Sequence, residues 1–97
     1  MTREEAIEKL ADCRRNIDRI DLQLVALLNE RTRIVEQIGE IKREFAMPVY
    51  EPKREDQVYR NVAHGNHGPL TVDAIKRIFE RIMDEMRTLQ RTRMQSP

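Results

Sequence analysis

The sequence predicts an all-α protein with three helices per chain: a very long first helix, a short second and a medium third. It further predicts that two chains intertwine as a helical homodimer. Three observations carry this. The 97 residues include only three Gly and four Pro, too few turn formers for a domain of many short strands. Apolar residues recur at alternating three- and four-residue spacing over most of the chain, the mark of helices with one buried face. The first such stretch is also longer than a globule of this size can cover. The length suits one domain, residues 1–97.

The first helix is expected over about residues 2–45. Thr2-Arg3-Glu4-Glu5 fits a capping box, which satisfies free N–H groups at a helix start, and no proline follows until Pro48. Leu10, Cys13, Ile17, Ile20, Leu24, Leu27, Ile34, Ile38 and Ile41 form a heptad-like seam that Leu28 and Val35 widen. Gly39 lies inside it and implies either close helix packing or a kink. The second helix is expected over about 52–64, with Pro52 at its first position, Glu51 near the cap and Gly65 as a stop. His64-Gly65-Asn66-His67-Gly68-Pro69 reads as loop. The third is expected over about 71–93, capped by Thr71. Its stripe is Ile75, Phe79, Ile82, Met86 and Leu89, flanked by Ile78 and Met83.

Some 43 residues at a helical rise reach about 65 Å. A compact chain of this length is only about 32 Å across. The first helix therefore either folds back or pairs with another chain. With no strong breaker before Gly39, pairing is the simpler outcome.

Composition narrows the function. Lys plus Arg is 18 and Asp plus Glu is 17, a net charge of +1. Electrostatic nucleic-acid binding needs a basic excess, and an acidic tail needs the opposite. With two Phe, two Tyr and no Trp, the core must come from Ile, Leu, Val and Met. Cys13 is the single cysteine, which rules out an intramolecular disulfide and suits a reducing cytoplasm. The start MTREEAIEKL has no apolar segment of signal-peptide type. No run reaches the ~18 apolar residues of a membrane span. His64 and His67 in a loop are a weak metal signal, and no metal site is expected.

Some residues depart from the packing pattern. Arg31 takes the seam position missing between Leu27 and Ile34. A guanidinium there needs an anion, either a glutamate of the bundle or a ligand, unless it snorkels to water. Lys42 projects on nearly the same face about 16 Å further along, where a surface lysine near a helix end is the plain alternative. Arg14 lies about 25 Å before Arg31 and about 100° round the helix. It could reach the same ligand only from a second, antiparallel chain, and is otherwise a solvated arginine. Glu51 and Glu55 share a face four residues apart. They could accept hydrogen bonds from a hydroxyl, or form a cap and a charge ladder with Arg54. Gln90 edges the third stripe and could donate a buried hydrogen bond. No nucleophile elbow, phosphate loop, zinc-protease motif or dinucleotide fingerprint occurs.

As an ordered set, these residues resemble the all-helical chorismate mutases, the AroQ class. The matching pattern runs through Arg14, Ile17, Ile20, Asp21 and Leu24, then Leu27-Leu28-Asn29-Glu30-Arg31, Ile38-Gly39 and Lys42. It continues in Pro48-Val49, Glu51, Arg54-Glu55, Ile78-Phe79-Glu80-Arg81-Ile82 and Gln90. The resemblance implies a cofactor-free [3,3] rearrangement of chorismate to prephenate in Phe and Tyr biosynthesis. It also implies an intertwined dimer whose two active sites are shared between chains. Carried over, Arg14 of the other chain and Arg31 bind the two substrate carboxylates, and Arg54 adds charge at the mouth. Lys42 and Gln90 face the ether oxygen, while Glu51 and Glu55 meet the ring hydroxyl. The reaction needs a dianion held in a reactive shape, not a nucleophile or metal. Arginine forks match carboxylates.

Two positions depart from that family's pattern. Met86 falls where many relatives carry a small polar residue that contacts a carboxylate, and Glu51 replaces a common Asp. Two alternatives stand beside the mutase. One is isochorismate pyruvate lyase on the same fold. The other is a helical dimerisation or regulatory module docking on a shikimate-pathway enzyme, since HGNHGPLT and the third helix's ending resemble mutase domains fused to other enzymes.

Overall fold

The computed structural model describes residues 1–95, with side chains described through residue 93. It has α1 (Arg3–Glu44), α2 (Pro52–Gly65) and α3 (Val72–Gln95), and no strand among the described residues. The chain divides into two compact units, Met1–Arg33 and Ile34–Pro97.

Met1–Arg33 is helix from its third residue. The Thr2 hydroxyl accepts the Glu5 N–H at 3.1 Å, half of the expected capping box. Glu4 and Glu5 in the first turn suit the positive end of the helix dipole. The seam is all on the surface of the protomer: Leu10, Ile17, Ile20, Leu24 and Leu27 range from 48% to 60% exposed. No residue of this unit is buried.

Ile34–Pro97 holds the core, built from Val35 of α1, Val58 of α2 and Met83 of α3. α1 and α3 each bury a line beside the one that their apolar spacing marks. On α1 the seam residues Ile34, Ile38 and Ile41 stay exposed, while Val35 and Lys42 are buried. Positions 35, 39 and 42 share a face, and this face turns to the unit's interior. On α3 the flanking Met83 is buried, the stripe residues Phe79, Ile82, Met86 and Leu89 are half-buried, and Ile78 is exposed.

Helix ends set the connections. α1 closes in a Schellman motif: Met47 N–H donates to Lys42 O at 2.7 Å and Ala46 N–H to Arg43 O at 3.4 Å. Ala46 takes the left-handed conformation this requires, with φ of 53°, at a position where glycine is the usual occupant. The turn sends the chain back toward the last turn of α1. α2 includes Gly65, one residue beyond the expected end, and Asn66 caps it. The Asn66 side chain accepts from Gly68 N–H and donates to Leu70 O, which shapes the loop into α3. The Thr71 hydroxyl then caps α3 by accepting the Ala74 N–H at 3.0 Å.

Gly39 marks close packing, not a kink. α1 runs through it unbroken, and a Cβ at this position would lie 3.4 Å from Gln90 Cγ. No described helix is long and apolar enough to cross a membrane.

Candidate active site

Lys42 stands in the last turn of α1, where a lysine ordinarily lies in solvent. Here its side chain is 9% exposed. Its Nζ donates to Val49 O at 2.9 Å and lies 3.3 Å from Glu51 Oε1. A buried ammonium needs such partners to offset lost hydration. The Schellman turn supplies them by folding residues 48–51 back over the helix end. Glu51 occupies the α2 N-cap position but makes no side-chain capping bond. Its carboxylate is committed to Lys42.

Among the described residues Gln90 is the other buried polar side chain. Its Nε2 donates to Val35 O at 3.2 Å. Gly39 lies directly beneath the Gln90 side chain, where a Cβ would meet its Cγ at 3.4 Å and a larger side chain would displace it. Val35, Gly39 and Lys42 lie along one face of α1, so Gln90 and Lys42 address the same stripe. A cleft beside Gln90 is lined by Glu36, Glu40 and Arg43 from α1 and Leu89 and Arg93 from α3. An Arg93–Glu36 ion pair at 2.8 Å bridges its two sides.

Glu51 and Glu55 sit one turn apart but serve different cations. Glu55 is 18% exposed and pairs with Arg87, whose Nε lies 3.1 Å from Glu55 Oε2. Arg87 also pairs with Asp84, and its Cζ lies 5.5 Å from the centre of the Tyr50 ring. Around them the Tyr59 phenol is pushed above its ordinary value. Burial contributes most, then the carboxylates of Glu80, Glu55 and Asp84, with Arg87 opposing. Arg54 is exposed and donates to Gln57 Oε1 at 2.8 Å. With Tyr50, Glu51 and Arg60 it lines an open groove at the start of α2.

Met86 is half-buried on α3. Arg14, exposed, and Arg31, half-buried, belong to the Met1–Arg33 unit. Among the described residues no cluster of His, Cys, Asp and Glu is arranged to hold a metal. The residue that sequence reasoning missed is Arg87. Its signal was spacing: four residues after Met83 and three before Gln90, it falls on the buried line of α3.

Residues 13–91 match the chorismate mutase type II family. The bifunctional chorismate mutase/prephenate dehydratase of Neisseria gonorrhoeae is 39% identical over 88 residues, covering 90% of this chain and 24% of that protein. The chain thus spans about a quarter of the length of such bifunctional relatives. Among solved structures, chorismate mutase (form II) from Thermus thermophilus superposes with a TM-score of 0.84 at 30% identity, covering 86% of this chain and 94% of that one. Chorismate mutase from Helicobacter pylori in complex with prephenate gives 0.85 at 26% identity, covering 93% and 98%. With three helices in this order, a lysine of α1 and a glutamine of α3 buried along one face of α1, and a family match over most of its length, the chain belongs to the chorismate mutase type II family.

Proposed function

We propose that the chain is a chorismate mutase that converts chorismate to prephenate without a cofactor, in the biosynthesis of Phe and Tyr. The observation that carries this reading is the burial of Lys42 and Gln90, each anchored on a backbone carbonyl, in a member of this family. In the reaction an ether C–O bond breaks as a C–C bond forms within one molecule. Negative charge grows on the ether oxygen. An ammonium has three N–H donors and an amide two. Lys42 directs two toward Val49 O and Glu51, and Gln90 directs one to Val35 O. One donor of each is then available to the ether oxygen. Donors held before the reaction begins stabilise the transition state more than the ground state.

The rest of the site follows the family resemblance. Arg31 binds one substrate carboxylate and Arg14 of a second chain the other, with Arg54 at the mouth. Glu51 and Glu55 receive the ring hydroxyl, and Met86 adds apolar contact in place of a polar one. The shared site requires a homodimer. The exposed seam of Ile17, Ile20, Leu24, Leu27, Ile34, Ile38 and Ile41 supports one, because contiguous apolar surface of this kind marks an interface. The protein acts in the cytoplasm, in keeping with its lone free thiol. The fused relatives support docking to another enzyme of the same pathway.

The purified chain is expected to consume chorismate and form prephenate. Pyruvate from isochorismate with no prephenate from chorismate overturns the assignment in favour of the lyase. An inactive chain that binds a partner enzyme overturns it in favour of a regulatory module. Arg14→Ala and Arg31→Ala are each expected to lose most activity while staying helical. Mixed and exchanged, they are expected to regain part of it, because some heterodimers carry one intact site. No recovery after verified subunit exchange counts against sharing.

A further inference from the structure

We infer that Arg87 is a positioning residue, which orients the Glu55 carboxylate and ties the segment partnering Lys42 to α3. This rests on the reaction proposed above and deepens it.

One guanidinium serves three groups. Its Nε lies 3.1 Å from Glu55 Oε2, an Nη pairs with Asp84 three residues earlier on α3, and its Cζ lies over the Tyr50 ring, 5.5 Å from the centroid. Only 24% of the side chain is exposed. The Nε is shut off from water, yet its approach to Glu55 is not aligned as a hydrogen bond. Asp84 holds the Arg87 rotamer from within α3, so the fork is aimed before Glu55 arrives.

Tyr50 gives the arrangement its reach. It stands between Val49, whose carbonyl anchors Lys42, and Glu51, whose carboxylate pairs with Lys42. A cation–π contact with Tyr50 together with the Glu55 ion pair lets Arg87 fix the backbone on both sides of the α2 start. A planar, delocalised guanidinium can stack and donate at once, whereas an ammonium makes only point contacts. Arg87 does not need to touch substrate for this. It acts through Glu55, whose proposed contact with the ring hydroxyl exists in both ground and transition states. Losing such a uniform contact raises KM and leaves kcat nearly unchanged.

The test is steady-state turnover of chorismate, with melting temperature recorded, for Arg87→Met, Arg87→Lys, Glu55→Gln and the double variant Arg87→Met/Glu55→Gln. Arg87→Met is expected to raise KM about tenfold with kcat within about twofold. Arg87→Lys keeps the charge without the fork and is expected to raise KM about threefold. In the double variant, Arg87→Met is expected to add less than about twofold to Glu55→Gln, because both remove one contact. A lowered melting temperature with KM unchanged makes Arg87 merely structural and overturns the inference. Independent multiplication of the two KM effects overturns it as well, since Arg87 then does not act through Glu55. Should Arg87→Met fail to fold, Arg87→Lys decides, and a wild-type KM there overturns the inference. A wild-type chain without turnover overturns the proposed reaction and this inference together, whereas active wild type with unaffected variants overturns this inference alone.

Discussion

Residues Met1–Arg33 carry Leu10, Ile17, Ile20, Leu24 and Leu27 along one seam and bury none of them. Residues Ile34–Pro97 continue the same spacing in Ile34, Ile38 and Ile41, leave those three exposed, and bury Val35, Lys42 and Gln90. The helical period is the same in both. What differs is whether another part of the same chain covers a face. In the second unit α3 and the segment before α2 do so, and the covered face of α1 is the flank 35, 39 and 42. The seam itself is left uncovered in both units. Apolar spacing thus marks the surface proposed for a second chain, and the polar side chains proposed for catalysis lie on the face that the chain covers for itself.

The sharpest test of this division is Lys42→Met. It replaces a buried cation by an apolar chain of similar length, so the unit is expected to stay folded. The loss in kcat is expected to be on the order of 10³-fold, the scale for removing a donor from a developing oxyanion. Retained turnover would show that the buried flank is only structural. Circular dichroism run alongside separates chemistry from folding.

The opposite face is probed by Leu27→Glu. Leu27 is 60% exposed in the single chain, so a charge there is tolerated by the protomer. It is not tolerated in a packed seam. Dimer affinity is expected to fall about 100-fold, read by sedimentation equilibrium. Unchanged association would remove the seam as the interface.

Gly39→Leu is expected to act more mildly. A Cβ alone would touch Gln90 Cγ at 3.4 Å, and the added isobutyl group pushes the amide off Val35 O. A fall in kcat of about tenfold is expected, the scale of one hydrogen bond to a reacting group. Gly39→Ala is expected to stay near wild type. Full activity in Gly39→Leu would mean that Gln90 needs no access to α1.

Much of the molecule was legible in its residues. Thr2 and Thr71 cap their helices, Pro52 opens α2, and all three helices lie within two residues of their expected bounds. Capping and backbone preference act over three or four residues, so sequence carries them directly. The seam was legible for the same reason. Legibility failed where partners come from another segment. Glu51 was open between a hydroxyl acceptor and a cap, and it makes no capping bond but pairs with Lys42. Glu55 was open between a hydroxyl acceptor and a rung of a charge ladder, and it pairs with Arg87, thirty-two residues on.

The order and length of the helices, the long apolar seam and the residue set that resembles the family all follow from local spacing and side-chain type. Spacing could not choose which of two adjacent α1 faces the chain would cover, because both meet the same 3.6-residue period. Nor could it tell a surface lysine from a buried one. That outcome depended on a left-handed Ala46 turning Val49 and Glu51 back onto Lys42, and on a small residue at 39 leaving room for Gln90 at the Val35 carbonyl. Burial and partner identity arise from a turn that folds the chain back on itself and from packing between helices fifty-five residues apart, and these make two ordinary polar residues a buried pair.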